Sequence, residues 1–335
     1  MTRVSVLVPN YNGQAYLEQC LSSVLAQTFT DWTVVVGDNA STDESVEIVT
    51  STGDPRVRLV RRLTTVSWVA NVNALLSENV DSEYIAVLHA DDWWEPVFLQ
   101  TMVARLEAAP QSLLATCSAR IIRVGAGPGF SGLHQGWSQG SGTCPAATAA
   151  RLLVQRNWLR SPAVLARRSL YQRFPRFDES LPLVNDWLMW IRAATMGDIE
   201  VCPEPLANYR FHAQNMTAES TRENRWGDEM IRMARILQTE WAAGEPFPGA
   251  RRAIAAGVSS EILADAGVRA ERGDTAGALV QARRARSIAP GFKQRFLAIA
   301  GGAAIRVTDL PGIRLARRPA ALVGRRLWSV LRPAA

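Results

Sequence analysis

The chain is poor in the side chains that build metal frameworks and disulfide scaffolds. It has three histidines and four cysteines in 335 residues. Cys20, Cys117, Cys144 and Cys202 lie far apart, with neither the close pairs of a zinc site nor the density of a disulfide framework. A reducing cytoplasm is therefore the expected setting. No run of about 18 uninterrupted apolar residues occurs, so no spanning helix is expected; the best candidate, Phe296–Ile305, is too short. Met1 leads straight into a strand-like segment, which argues against a signal peptide, and the sequons at Asn39 and Asn215 carry no meaning without secretion. Net positive charge is also missing from most of the chain. Residues 301–335 hold seven arginines against Asp309 alone and account for the whole net charge of +6, leaving residues 1–300 neutral. That excludes a basic nucleic-acid-binding body. In the tail, paired arginines alternate with Ile313, Leu315, Leu322, Val323, Leu327, Trp328 and Leu331. This pattern suits either contact with an anionic membrane surface or a C-terminal helix packed on the body.

What is present is an alternation of strand and helix. Val4–Gly13 reads as a buried strand ending in Pro9 and a polar turn. Leu17, Cys20, Leu21, Val24 and Leu25 then recur at helical spacing. Thr33–Val36 is a second strand, ending in GDNASTDES, where Ser41 and Glu44 read as a capping box. Val57–Val60 is a third strand, and a helix starts at Trp68 near Asn71 and Asn73. Four such alternations predict a parallel α/β sheet flanked by helices. The glycine-rich stretch 125–145 reads as a mobile loop near a site or an inert insertion. From Glu219 the pattern is helical and alanine-rich, with Gly273-Asp274 separating two helices in a tetratricopeptide-like hairpin. Two domains are expected, at 1–218 and 219–335.

The stretch YIAVLHADDWWEP, residues 84–96, organises the rest. Tyr84–Leu88 suits a strand buried on both faces. His89, Asp91 and Asp92 fall where that strand should end, which is where open α/β sheets bind ligands. Adjacent carboxylates repel unless a cation or a proton intervenes. A divalent metal on Asp91 is one reading, and a polar turn leading to a helix at Pro96 is the other.

Five segments in order resemble the family 2 inverting glycosyltransferases with the GT-A fold: VSVLVPNYNG, VVVGDNASTDES, the Trp68–Leu75 stretch, YIAVLHADDWWEP, and NDWLMWIR followed by YRFH. The resemblance covers about residues 1–217. It implies a Rossmann-like, mostly parallel sheet with an α-helical C-terminal region appended. It also implies a nucleotide-sugar donor, UDP- or dTDP-linked, held by Pro9, Asn10, Tyr11, Asp38, Asn73, Asp91 and Arg210. Asp38 would accept from the pyrimidine N3–H. Asp91, with His89 and His212, would hold Mg²⁺ or Mn²⁺, and Asp186 would be the general base of a single in-line displacement. The acceptor would be a saccharide or a lipid-linked sugar of surface polysaccharide or glycolipid synthesis, at the inner face of the membrane. His89 stands where the family most often has an acid, and Asn39-Ala40 and Asn185 also depart from its pattern. Core packing is expected for most of Trp93, Trp94, Trp187 and Trp190. The competing class is a nucleotide-sugar-binding protein without turnover, which would not need Asp186. A sugar nucleotidyltransferase would want a basic, glycine-rich loop after the first strand, and PNYNGQAY has none.

Overall fold

A computed structural model describes residues 2–78, 81–124, 131–134, 140–212 and 225–288. The basic tail and most of the glycine-rich stretch fall outside these residues. The chain forms two compact units. The first comprises Met1–Leu153 and Asn157–Ala218; the second takes in Val154–Arg156 and the chain from Glu219 onward.

In the first unit, apolar runs become buried strands of one sheet, and the half-exposed run Val57–Arg61 forms its edge. Strands β1 (Val4–Asn10), β2 (Trp32–Asp38), β3 (Val57–Arg61) and β4 (Tyr84–Val87) are parallel, in the spatial order β3-β2-β1-β4. Helix α1 (Leu17–Leu25) buries Leu17, Cys20, Leu21 and Val24 in a core that includes Val4, Val6 and Val8 of β1. Helices α2 (Ser45–Ser51), α3 (Trp68–Ser77) and α4 (Phe98–Ala108) complete the alternation. Ser67 caps α3 by accepting from Ala70 N–H at 3.0 Å. The expected capping box at Ser41 does not form. Helix α2 begins at Ser45, and the Ser41 hydroxyl accepts from Asn12 N–H at 2.9 Å and Asn10 Nδ2 at 3.2 Å instead.

Beyond β4 the sheet continues through β9 (Val164–Arg167), antiparallel to both neighbours, to β6 (Ser112–Arg123), β10 (Asp198–Phe211) and the two-residue β5 (Trp93–Trp94). Strand β7 (Ser131–His134) pairs with β6, and β8 (Gly142–Cys144) with β10. The sheet is thus mostly parallel, with antiparallel additions. Strand β10 runs for 14 residues, from Asp198 through Ile199–Cys202 to Tyr209–Phe211. Pro203 and Pro205 interrupt the apolar pattern, and the ladder accommodates them by register shifts between Cys202 and Ala207. Helices α5 (Ala146–Leu153), α6 (Arg168–Arg173) and α7 (Asn185–Ala194) also belong to this unit.

The second unit contains α8 (Trp226–Glu240), α9 (Ala250–Glu271) and α10 (Thr275–Ile288). Gly273 takes φ +83° between α9 and α10, and Asp274 accepts from Gly277 N–H at 2.9 Å to start α10. Ala266, Ala278 and Ala282 bring the two helices together. The buried Arg269 guanidinium between them is neutralised by Asp265 at 2.7 Å and Asp274 at 2.8 Å. Among the described residues, no helix is long and apolar enough to cross a membrane.

Candidate active site

The site is built at the carboxyl ends of the parallel strands. Asn10 and Asp38 are opposite one another in the β1–β2 register. Asp38 is 1% exposed and accepts from Asn10 Nδ2 at 3.1 Å and from Ser41 N–H at 3.2 Å. A carboxylate offers about four acceptor positions, so capacity remains. A Cβ at Gly13 would lie 2.1 Å from Asn10 Oδ1, so the turn after β1 depends on a residue without a side chain there. Pro9 faces Gly37 across the register, and Tyr11 is 54% exposed at the strand mouth. Asn39 closes the loop on the other side, binding Val66 through its amide nitrogen at 2.8 Å and its oxygen at 2.9 Å.

At the end of β4, Asp91 and Asp92 turn in different directions. Asp91 Oδ2 lies 3.0 Å from His212 Nε2. Burial pushes the Asp91 carboxyl up, but the His212 hydrogen bond and the charges of His89 and His212 outweigh it, so it titrates below the ordinary range. Asp92 is buried, and its Oδ1 accepts the Arg210 backbone N–H at 2.8 Å. Its Oδ2 has no hydrogen-bond partner, with His89 Nδ1 at 3.8 Å. Burial, reinforced by the Asp91 charge, lifts the Asp92 carboxyl to about 6. His89 packs edge-on against Trp68, ring centroids 5.5 Å apart. Burial lowers its imidazole, but Asp92, Asp91 and Asp186 outweigh that, so the net direction is upward. The predicted metal set therefore divides: Asp91 and His212 converge, whereas His89 faces Asp92. Among the described residues, no three His, Cys, Asp or Glu side chains are arranged to share one metal ion.

Arg210 is occupied by the protein. Its Nε donates to the Asp91 carbonyl at 2.9 Å and its NH2 group to Gln19 Oε1 at 2.5 Å. The guanidinium carbon lies 4.2 Å from the Tyr16 ring centroid and 4.6 Å from that of Trp93. These contacts clamp Arg210 onto the Asp91 turn. Asn73 is likewise turned elsewhere. Its amide nitrogen donates to Phe177 O at 3.0 Å and its oxygen accepts from Phe177 N–H at 2.8 Å, tying α3 to the loop after α6.

Asp186 lies in the first turn of α7, which starts at Asn185, so it is not the cap; that position is Val184. Its Oδ1 accepts from Trp187 N–H at 2.5 Å. Burial raises the carboxyl above the ordinary range, with the Trp187 amide and the charges of His89 and Arg160 partly offsetting it. Trp94, Trp187 and Trp190 are core residues at 2–3% exposure, Trp94 donating to Pro162 O and Trp187 to Leu153 O. Tyr16, Gln19 and Arg160 were not singled out from sequence. Only Arg160 carried a signal, as an isolated cation in the apolar stretch Trp158–Ala166.

Comparison with known proteins gives the same arrangement a family. Residues 5–134 match the family described as Glycosyl transferase family 2. An uncharacterized protein of Mycobacterium tuberculosis is 26% identical over 246 residues, covering 70% of this chain and 67% of its own. The succinoglycan biosynthesis protein ExoO of Rhizobium meliloti is 28% identical over 62% of this chain and 60% of its own. Among solved structures, Staphylococcus aureus TarS superposes with TM-score 0.63 at 16% identity, over 94% of this chain and 55% of TarS. The mannosyltransferase PcManGT of Pyrobaculum calidifontis, in complex with GDP-Man and Mn²⁺, does so with TM-score 0.57 at 19% identity, over 98% of this chain and 87% of its own. Residues 5–134 thus match glycosyl transferase family 2, and the sheet they begin has the GT-A fold of TarS and PcManGT.

Proposed function

We propose that residues 1–218 transfer a sugar from a nucleoside-diphosphate sugar to an acceptor hydroxyl with inversion at the anomeric carbon. The observation that carries this reading is the convergence of Asp91 and His212, 121 residues apart, at the sheet edge where Asn10 and Asp38 also end. Asn10, Pro9 and Tyr11 line the nucleotide. Asp38, with acceptor capacity to spare, takes the N3–H of a uracil or thymine base, which favours a UDP- or dTDP-sugar. TarS has been solved with UDP-GlcNAc bound; a UDP-sugar donor here accords with that.

Asp91 and His212 suit a divalent cation. One carboxylate oxygen and one imidazole nitrogen are donors that Mn²⁺ accepts readily and Mg²⁺ accepts in part. Two protein ligands leave the other positions for water and diphosphate oxygens. When bound, the cation neutralises charge on the departing diphosphate. His89 contributes by facing Asp92. Arg210 contributes by fixing the Asp91 turn.

Asp186 is the base. An inverting displacement needs one carboxylate opposite the leaving group to take the acceptor proton as the new bond forms. Burial raises the Asp186 carboxyl, which makes it a stronger proton acceptor once ionised. The acceptor is a saccharide or lipid-linked sugar, and the product a surface polysaccharide or glycolipid. ExoO, named for succinoglycan biosynthesis, accords with this. The basic residues of 301–335 hold the enzyme at the inner membrane surface. Nucleoside diphosphate release across UDP-, dTDP- and GDP-sugars, with and without Mn²⁺, tests the assignment. Release from none of them would refute it.

A further inference from the structure

Tyr16 touches two functional side chains at the end of β10. It occupies the cap position before α1, yet its side chain makes no capping hydrogen bond. The half-buried phenol ring lies against the end of β10 instead. Its centroid is 5.0 Å from that of the His212 imidazole, with the two planes tilted by 44°. The Arg210 guanidinium carbon is 4.2 Å from the same phenol centroid.

That guanidinium is itself anchored. Its Nε donates to the Asp91 carbonyl at 2.9 Å, and its NH2 group donates to Gln19 Oε1 at 2.5 Å. Trp93 lies 4.6 Å from it. Gln19 and Tyr16 stand one helical turn apart on one face at the start of α1. The start of α1 therefore holds the end of β10 twice, once through Gln19 on Arg210 and once through the Tyr16 ring.

His212 needs such support. The ladder between β6 and β10 ends at Phe211, so strand pairing does not fix the imidazole of the next residue. The Asp91 carboxyl titrates low and is ionised at neutral pH, so it accepts and His212 Nε2 donates across their 3.0 Å contact. Nε2 must give up that proton to ligate a cation. The hydrogen bond to Asp91 therefore cannot orient the ring in a loaded site. The contact with Tyr16 needs no proton and persists. Metal ligands held by their neighbours in the binding orientation keep their affinity, and those left loose do not.

We infer that Tyr16 is a positioning residue for His212. Its ring, held against the anchored Arg210 guanidinium, keeps the imidazole in the orientation in which Nε2 meets a divalent cation beside Asp91. The inference rests on Asp91 and His212 holding that cation.

The test uses Mn²⁺ alone with the full chain, without nucleotide or sugar. Loss of the free-ion electron paramagnetic resonance signal gives the Kd, and electron spin echo modulation of the bound ion reports a ligating imidazole nitrogen. Wild type should show that nitrogen, and His212→Ala should lose it. Tyr16→Leu should raise the Mn²⁺ Kd about fivefold or more and weaken the nitrogen modulation at equal occupancy, a smaller effect than losing a hydrogen-bonded partner of a ligand. Tyr16→Phe keeps the ring, so its Kd should stay within about twofold and its nitrogen modulation should match wild type. Tyr16→Met carries the same test should Tyr16→Leu not fold.

A wild-type Kd in Tyr16→Leu, or a raised Kd with undiminished nitrogen modulation, would overturn the inference and leave Tyr16 as packing. A loss in Tyr16→Phe as large as in Tyr16→Leu would overturn it in favour of the phenol hydroxyl. Wild type that binds no Mn²⁺, or binds it without a nitrogen ligand, would strike the metal assignment itself and the inference with it. The two failures are therefore distinguishable.

Discussion

The Asp92 carboxylate accepts the backbone N–H of Arg210 at 2.8 Å, joining two segments 118 residues apart in the chain. The same strand returns two further contacts to that turn: Arg210 Nε to the Asp91 carbonyl at 2.9 Å, and His212 Nε2 to Asp91 Oδ2 at 3.0 Å. Three bonds thus fix the end of β10 against the turn after β4. Asp92 is a structural clasp, and Asp91 is the side chain it presents.

The clasp carries a pH signature. Burial raises the Asp92 carboxyl from 3.8 to about 6, so its protonated form is the one the fold favours. The sign follows: this contribution to stability is complete below the unfolded value and is lost as pH rises through about 6. A rise of this size corresponds to roughly 3 kcal/mol. Asp92→Asn keeps an oxygen for the Arg210 amide and removes the buried charge. In EDTA it should melt higher than wild type at pH 7.5 and close to it at pH 4. An equal or lower melting temperature at pH 7.5 would show that the charge is compensated, with His89 as its partner.

Asp186→Asn should leave the fold intact. Burial raises this carboxyl too, so the charged form is disfavoured and loss of the charge at neutral pH should preserve or raise the melting temperature. Transfer should fall roughly 10²-fold or more, the scale of losing a general base. In the wild type, kcat/KM should fall as pH drops through a value above the usual aspartate range, because the base works only when ionised. Retained transfer in the variant would remove Asp186 from the chemistry.

Asn73→Ala separates structure from binding. Two hydrogen bonds to the Phe177 backbone would be lost in a buried place, costing about 2–4 kcal/mol by chemical denaturation. The donor KM of the folded fraction should be unchanged. A raised donor KM with unchanged stability would restore Asn73 to the donor site.

The sequence announces the central parallel strands because they are rich in valine, leucine and isoleucine, and it announces their ligand ends because Asp38 closes β2 and Asp91 follows β4 within a few residues. The hairpin of α9 and α10 is equally legible, since Gly273 takes a left-handed conformation and Asp274 caps the next helix. Contacts that depend on register are not legible. Nothing local distinguishes Asp92 from Asp91, and their roles diverge only when β10 arrives beside the turn. Arg210 reads as a phosphate ligand in one dimension, yet in the fold Tyr16, Trp93 and Gln19 enclose it. The Ser41–Glu44 pattern has the spacing of a capping box, but the turn after β1 claims the Ser41 hydroxyl first.

Removing the metal should act through Asp91 and His212 alone. EDTA and Asp91→Ala should each abolish donor turnover, and His212→Ala should raise the Mn²⁺ concentration needed for half-maximal activity by about tenfold or more. His89→Gln should leave that concentration within about twofold, because His89 faces Asp92. A large shift with His89→Gln would make it a ligand after all.

The most direct test of the account is nucleoside diphosphate release from UDP-, dTDP- and GDP-sugars by wild type and Asp186→Asn, each with Mn²⁺ and with EDTA. The account predicts Mn²⁺-dependent release by wild type from at least one pyrimidine nucleotide sugar, and loss of at least 10²-fold in the variant. Release that persists in EDTA, or that Asp186→Asn retains in full, would contradict it.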